Sequence, residues 1–161
     1  MQTKAIKPTE IDIEAVTGKT CIYSDGSVHS DVGRGACAAT ISSVKKHDVQ
    51  TRALQGEQGK KSYRTELEGI YLGTTTAEEV DQSSKAWSYW SNSMAALSQC
   101  SKLHLSTKDM TAPENDIILA IRHTLKTHGI KGSFNFVRDH QDDDRKFSTL
   151  DNEAKYNLIC D

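Results

Sequence analysis

The sequence has 161 residues, 36% of them hydrophobic, which indicates one globular domain with a sizeable core. No apolar stretch is long enough to cross a membrane, and residues 1–10 lack the apolar stretch of a signal peptide. The formal net charge of −2 excludes a strong global positive field. Any binding of a nucleic acid would therefore depend on local basic patches and on bound metal ions.

The four cysteines lie far apart in the sequence and form no C-x-x-C pair. This spacing disfavours a zinc site and a disulfide framework. Cys21 and Cys37 stand within apolar segments, where we expect them to be small core residues. Unpaired cysteines are typical of a reducing compartment, so we expect an intracellular protein of the cytoplasm or the nucleus.

Residues 1–18 are polar and predict an N-terminal arm, followed by one domain of residues 19–161. At the start of the domain, the apolar run Cys21–Tyr23 precedes Ser24–Ser27, which has the composition of a turn. The strands predicted for this part are Cys21–Tyr23, Gly33–Ile41 and Asp48–Gln55. Together they predict an antiparallel meander.

The helical spacing of Leu67, Ile70 and Thr74 predicts a first helix, with Ser62 as its cap. The elements predicted from there are helix Ser62–Glu79, strand Ala86–Ser91, helices Ser93–Leu103 and Glu114–His128, strand Ser133–Val137 and a final helix Leu150–Asp161. The order βββαβααβα predicts an α/β fold: a five-stranded mixed sheet, with three antiparallel strands first, flanked by helices. We expect the final helix to be cut short at Asp161.

Oxygen-bearing side chains stand at the predicted ends of these elements. Asp25 ends the first strand, and Gly26 after it lets a backbone or a metal ion come close. Glu66 lies in the first long helix, and Asn92 stands where a strand turns into a helix. Such folds bind ligands at this kind of sheet edge. Mg²⁺ prefers oxygen ligands, and two ions about 3.5–4 Å apart clamp a phosphoryl group as it is displaced.

The chain contains, in this order, the motifs I-Y-S-D-G-S (Ile22–Ser27), Y-R-T-E-L-E (Tyr63–Glu68), S-N-S (Ser91–Ser93), D-H-Q-D-D (Asp139–Asp143) and N-L-I-C-D (Asn157–Asp161). The ordered set resembles the ribonuclease H family over residues 21–161. The closing stretch is similar to the ribonuclease H domains at the C-terminal end of reverse transcriptases from eukaryotic retroelements. The resemblance implies a ribonuclease H-like fold and a reverse transcriptase domain in the parent protein.

The resemblance also implies a site for two Mg²⁺ ions, with Mn²⁺ as a substitute. The positions implied for the metal site are Asp25, Gly26, Glu66, Asn92 and Asp161. Asp25 would bridge the two ions, and His140 would assist product departure or proton transfer. Substrate contacts are expected from Ser27, Arg64 and Ser93. The implied reaction is hydrolysis of the RNA strand of an RNA–DNA hybrid, with the ribose 2′-hydroxyl as the distinguishing feature.

Position 92 departs from the family pattern, because it is Asn where the family has an aspartate. The neutral amide would weaken binding of the second ion and depress turnover, while substrate binding is retained. Whether the Asn is natural or engineered stays open. For the last carboxylate, Asp161 competes with Asp151; we favour Asp161 because it completes an Asn-x-x-Cys-Asp pattern, and we expect Asp151 to cap the final helix.

The leading hypothesis is therefore an endonuclease that acts on RNA–DNA hybrids. The alternative is a catalytically inactive ribonuclease H-like module that binds nucleic acid or has a structural role. An integrase or transposase core is less favoured, since those relatives generally use three carboxylates and lack the loop that carries His140. A phosphotransferase is weaker still, because the chain contains no second phosphate-binding repeat.

Overall fold

The computed structural model describes residues 20–29, 34–43, 48–58, 62–80, 84–138, 146–151, 155 and 160. The predicted N-terminal arm lies outside these residues. The same holds for His140 and Asp161.

Within the described residues, the strands form one mixed sheet. They are β1 (Thr20–His29), β2 (Arg34–Ser43), β3 (Asp48–Gln58), β4 (Ala86–Ser91) and β5 (Lys131–Phe136). Their order across the sheet is β3-β2-β1-β4-β5. The pairs β1–β2 and β2–β3 are antiparallel, whereas β1–β4 and β4–β5 are parallel. The predicted mixed sheet flanked by helices is confirmed.

The turn predicted at Ser24–Ser27 is wrong, because β1 continues through these residues to His29. Asp25 pairs with Ala38 of β2, and Gly26 pairs with Cys37. An Asp-Gly pair is typical of turns, but the small residues of β2 allow a long antiparallel ladder that keeps this segment extended. Asp25 therefore lies inside a strand rather than at its end.

The described helices are α1 (Ser62–Val80), α2 (Met94–Ser101), α3 (Thr107–Met110) and α4 (Asn115–Thr127). Ser62 is the first residue of α1 rather than its cap, and Ser93 caps α2. The sequence did not predict α3, since this short helix has no apolar periodicity and is held by a capping box between Ser106 and Asp109. Lys155 and Cys160 have helical backbone in the region of the predicted final helix.

Helical segments lie on both faces of the sheet. On one face, α1 packs against β1 and β2, and the core there includes Ile22, Leu67 and Trp87. On the other face, the thiol of Cys160 lies 3.4 Å from the carbonyl oxygen of Tyr23. Ile22 and Tyr23 are adjacent in β1, so their side chains point to opposite faces. This arrangement encloses β1, the strand that carries Asp25, between the two layers.

The cysteines agree with the sequence-based expectation, and the two tryptophans of β4 differ in burial. Cys21 and Cys37 are both buried, as predicted for small core residues. Trp87 is buried in the core, while Trp90 is half-buried. Since these two residues are three apart in β4, their side chains leave opposite faces of the sheet, and that of Trp87 packs in the core with Ile22 and Leu67.

Candidate active site

Two carboxylates are buried on β1 and α1, two elements that pack against each other. The exposed fraction is 5% for Asp25 and 8% for Glu66. The Oδ1 atom of Asp25 accepts a hydrogen bond of 2.8 Å from the backbone N–H of Gly26. Burial of a carboxylate costs free energy unless hydrogen bonds or a cation stabilise it. Two acidic side chains kept buried on adjoining elements therefore indicate a site rather than a packing surface.

Gly26 brings the two acidic residues together. A Cβ atom at position 26 would stand 2.5 Å from the carbonyl carbon of Thr65 and 2.6 Å from the nitrogen of Glu66. No side chain fits into this space, so the backbones of β1 and α1 touch directly. The residue after Asp25 thus contacts the backbone of Glu66, as the prediction of close approach at Gly26 requires.

Asn92 follows β4, the parallel neighbour of the strand that carries Asp25. Parallel pairs run from Thr20 and Trp87 to Tyr23 and Trp90, and the two residues of each pair differ by 67 in number. Counted two residues further, this offset would match Asp25 with Asn92, but the pairing ends at Tyr23 and Trp90, because β4 gives way to α2 while β1 continues. Asn92 lies half-buried at this divergence.

The turn that carries Asn92 is fixed by hydrogen bonds on both sides. Ser91 is buried, and its hydroxyl accepts a hydrogen bond of 3.1 Å from the backbone N–H of Ser93. The hydroxyl of Ser93 in turn accepts one of 3.3 Å from the N–H of Ala96 and so caps α2. Ser93 was predicted to contact substrate, and the structure gives its side chain this capping role.

The donor set suits a hard divalent ion. Asp25 and Glu66 supply carboxylate oxygens, and Asn92 supplies an amide oxygen, which are the ligand types that Mg²⁺ and Mn²⁺ take. Among the residues that the structure describes, no group of three His, Cys, Asp or Glu side chains is arranged to hold a metal ion. The third proposed ligand that the structure describes, Asn92, is an amide, and the fourth, Asp161, lies outside the described residues. The described residues therefore fit such an ion by the type of their donor atoms, with two carboxylates and one amide.

Cys160, the residue before Asp161, lies against β1. The thiol of Cys160 is buried, 3.4 Å from the carbonyl oxygen of Tyr23 and 3.4 Å from the hydroxyl of Thr40. Tyr23 is two residues before Asp25 in the same strand. Asp151 is exposed, and its carbonyl accepts a hydrogen bond of 3.1 Å from the N–H of Lys155, as the carbonyl of an N-cap residue does.

The predicted substrate contacts stand in different environments. Ser27 is exposed on β1, opposite Ala36 of β2. The guanidinium of Arg64 donates two hydrogen bonds to Asp116, of 3.2 and 3.1 Å, and lies 3.5 Å from Glu68. The hydrogen bond to Asp116 is the main cause that raises the pKa of Arg64. Its substrate contact stays a prediction and would have to share the guanidinium with this pair.

The basic residues after α2 lie in the connection between α2 and α4, which hydrogen bonds and an ion pair hold in place. Lys102 forms an ion pair of 2.8 Å with Asp109, whereas His104 and Lys108 are exposed. The guanidinium of Arg122 donates hydrogen bonds to the carbonyls of Cys100, Lys102 and Leu103 and so closes the end of α2. Neither Arg122 nor α3 was singled out from the sequence, since both depend on contacts between distant segments.

Comparisons with solved structures find the same architecture in ribonucleases H at 13–14% sequence identity. Ribonuclease H1 from the halophilic archaeon Halobacterium salinarum aligns with a TM-score of 0.58, over 78% of this chain and 90% of the other. The N-terminal ribonuclease H domain of a Mycobacterium tuberculosis protein, fused to maltose-binding protein, gives 0.57 over 88% and 96%. LC11 ribonuclease H1 in complex with an RNA/DNA hybrid gives 0.59 over 84% and 96%.

The comparisons establish the fold of the chain. No protein-family model matches the sequence, and no curated protein sequence matches it either. Among the described helices, none is long and apolar enough to cross a membrane. The chain therefore has the ribonuclease H fold, and its chemistry depends on the residues at its own site.

Proposed function

We propose that the chain is a ribonuclease H, an endonuclease that hydrolyses the RNA strand of RNA–DNA hybrids with two divalent metal ions. The observation that carries the proposal is the pair of buried carboxylates, Asp25 and Glu66, held together by the backbone contact of Gly26. Two buried acidic groups on a strand and a helix of a ribonuclease H fold are in keeping with metal-dependent phosphodiester chemistry. One structural neighbour, LC11 ribonuclease H1, was solved with an RNA/DNA hybrid, which supports this substrate class.

Asp25, Glu66, Asn92 and Asp161 are the residues that would hold Mg²⁺, with Mn²⁺ as a substitute. When bound, the ions would supply Lewis-acid stabilisation of the phosphate and an activated water. The chain itself keeps both described carboxylates buried, where electrostatic interactions are stronger than in water. The N–H of Gly26 orients one oxygen of Asp25. The contact of Cys160 with β1 supports Asp161, rather than Asp151, as the last carboxylate.

The remaining roles concern substrate and product. His140 would transfer a proton or assist product departure, and Ser27, Arg64 and Ser93 would contact the hybrid. Contacts to the 2′-hydroxyl would distinguish the RNA strand from DNA. The motifs Asp139–Asp143 and Asn157–Asp161 support an origin as the ribonuclease H domain of a retroelement reverse transcriptase.

Asn92 favours a second candidate function, a module that binds hybrids without cleaving them. After the strand that pairs with that of Asp25, the amide would supply an oxygen ligand but no negative charge. The loss of one anionic ligand lowers affinity for the second ion and with it the rate of cleavage. Surfaces that contact the hybrid would be unaffected. The two functions differ in turnover and share the fold and the binding surface.

Cleavage of a labelled RNA–DNA hybrid in Mg²⁺ or Mn²⁺ tests the proposal. We expect slow cleavage by the chain, faster cleavage by Asn92→Asp, and none by Asn92→Asp combined with Asp25→Asn. Duplex DNA of the same sequence is the substrate control, and fluorescence anisotropy with each variant measures binding separately. Tight hybrid binding without cleavage by Asn92→Asp would favour the binding module. Equal cleavage with and without the Asp25 substitution would refute the proposed site.

A further inference from the structure

Helix α1 contains two interior glycines that its own helical propensity does not explain. Gly69 and Gly73 are both buried, and they are four residues apart on the same side of the helix. Glycine is among the poorest helix formers, and alanine at the same positions would favour the helix. An interior helical glycine lets another segment approach closely, because it has no side chain. The two glycines meet different parts of β1.

Gly69 lies against the backbone of the residue that carries the first carboxylate. A Cβ atom at position 69 would stand 3.0 Å from the carbonyl oxygen of Asp25 and 3.4 Å from the Cβ of Ser24. That distance is tighter than ordinary van der Waals contact, so a side chain here would displace the Asp25 backbone by a few tenths of an ångström. One turn earlier in α1, Glu66 contacts Gly26 of β1.

The strand β1 is thus held against α1 at two points, one at Asp25 and one at Gly26. Gly26 sets the approach of β1 to the backbone of Glu66, and Gly69 sets its approach at the carbonyl of Asp25. Glu66 and Gly69 are three residues apart, so they share one face of the helix. The separation of the two carboxylates therefore depends on both glycine contacts.

We infer that Gly69 is a positioning residue, which fixes Asp25 relative to Glu66 so that both carboxylates bind one divalent ion. This role rests on the proposed function. It gives α1 a second role besides carrying Glu66, because the helix also sets its distance from the strand that carries Asp25. Groups that orient metal ligands typically change metal affinity by about 10–100-fold when they are substituted.

Gly73 supplies a matched control in the same interface. A Cβ atom at position 73 would overlap the Cγ2 of Ile22 and stand 3.4 Å from the Cβ of Ala39. Both are side-chain atoms of the core. Ile22 is three residues before Asp25 in β1, and Ala39 lies on the neighbouring strand β2. Gly73→Ala therefore crowds the packing of α1 on the sheet without touching the backbone of Asp25.

The experiment measures free Mn²⁺ by electron paramagnetic resonance in titrations of the full chain, with thermal unfolding followed by circular dichroism. We expect Gly69→Ala to weaken Mn²⁺ binding about tenfold. Gly73→Ala should lower the unfolding temperature and leave the Mn²⁺ affinity within about twofold of the parent chain. Asp25→Asn should abolish the binding and thereby identifies the ion at this site.

The outcomes separate the inference from the function on which it rests. If the parent chain shows no Mn²⁺ binding that depends on Asp25, the proposed metal site fails and the positioning role fails with it. If that binding is present and Gly69→Ala matches the parent, the positioning role alone is overturned. Should Gly69→Ala not fold, the same titration with Gly69→Ala and Ser24→Gly together decides, since Ser24→Gly removes the second neighbour. Full affinity in that variant would also overturn the role.

Discussion

Arg64 and Asp116 join the first turns of α1 and α4 by two hydrogen bonds, of 3.2 and 3.1 Å. At the other ends of the same helices, His128 and Glu78 form a contact of 2.9 Å. The two helices therefore run side by side in the same direction and are tied at both ends. Because Arg64 lies two residues before Glu66, the first of these ties also braces the helix that carries a proposed metal ligand.

The Arg64–Asp116 pair predicts a pH-dependent part of stability. The hydrogen bond from Arg64 is the main cause that lowers the pKa of Asp116. A lowered carboxyl pKa contributes stability above the unfolded-state pKa, and this contribution disappears as the pH falls through the folded-state value. Since Asp116 is largely exposed, we expect less than about 1 kcal/mol after solvent screening.

The measurement compares urea unfolding of the chain and of Asp116→Asn at pH 7 and near pH 2. We expect Asp116→Asn to be the less stable protein at pH 7 and the difference to vanish at the acidic pH. A difference that grows as the pH falls would contradict the assignment. High salt should reduce the effect at pH 7, because the pair is exposed to solvent.

Asn92→Asp is expected to lower stability without a divalent ion and to increase the stabilisation that the ion provides. Without the ion, a third carboxylate at position 92 repels the two buried ones, and we expect a loss of about 1 kcal/mol. With Mn²⁺ or Mg²⁺ present, the added ligand should increase the ion-induced rise in unfolding temperature. Asn92→Ala is the control for loss of the side chain. An unfolding temperature of Asn92→Asp that is the same with and without the ion would argue against a metal site here.

Arg122 is predicted to hold the end of α2 through the carbonyls that it bonds. Arg122→Ala should lower the free energy of unfolding by about 2 kcal/mol, because hydrogen bonds from a charged group to partly buried carbonyls are lost. Arg122→Lys keeps the charge but not the planar fork, so we expect only partial recovery. Urea denaturation measures both variants. Full stability of Arg122→Ala would show that water replaces the guanidinium at no cost.

Gly26→Ala is expected to destabilise the fold by at least about 2 kcal/mol, since its Cβ would overlap the backbone of Thr65 and Glu66. Gly129→Ala is the control: Gly129 has a φ of +61° but no atom within 4 Å of a Cβ, so only backbone strain of about 1 kcal/mol is expected. Chemical denaturation of the two variants measures the difference. A smaller loss at position 26 than at position 129 would contradict the direct backbone contact.

Cys100 is predicted to be unreactive in the folded protein. Burial raises the pKa of its thiol to about 12, so the reactive thiolate is scarce at neutral pH. Treatment with iodoacetamide at pH 8, followed by peptide mass mapping, should leave Cys100 unmodified in buffer and modified in concentrated urea. Rapid modification under native conditions would show that α2 opens locally.

The sequence predicted most elements because their signals are local. The strand Ala86–Ser91 has the same bounds in the structure, and α4 differs from its predicted range by one residue at each end. Both segments carry a clear pattern, alternating in the strand and amphipathic in the helix. The prediction of a turn at Ser24–Ser27 was wrong, because an Asp-Gly pair is a strong local signal that the pairing with β2 overrides. The short α3 has no apolar pattern from which to predict it.

By itself, the sequence determined which residues form the candidate site and the order in which they occur. Asp25, Glu66 and the Asn at position 92 follow from motifs of a few residues, and such motifs are local. Only the tertiary structure decided how their elements are arranged: β4, which leads to Asn92, pairs in parallel with β1, and Gly26 and Gly69 let β1 lie directly on α1. Register and close approach arise from contacts between segments far apart in the chain, and those contacts leave no periodic trace in the sequence.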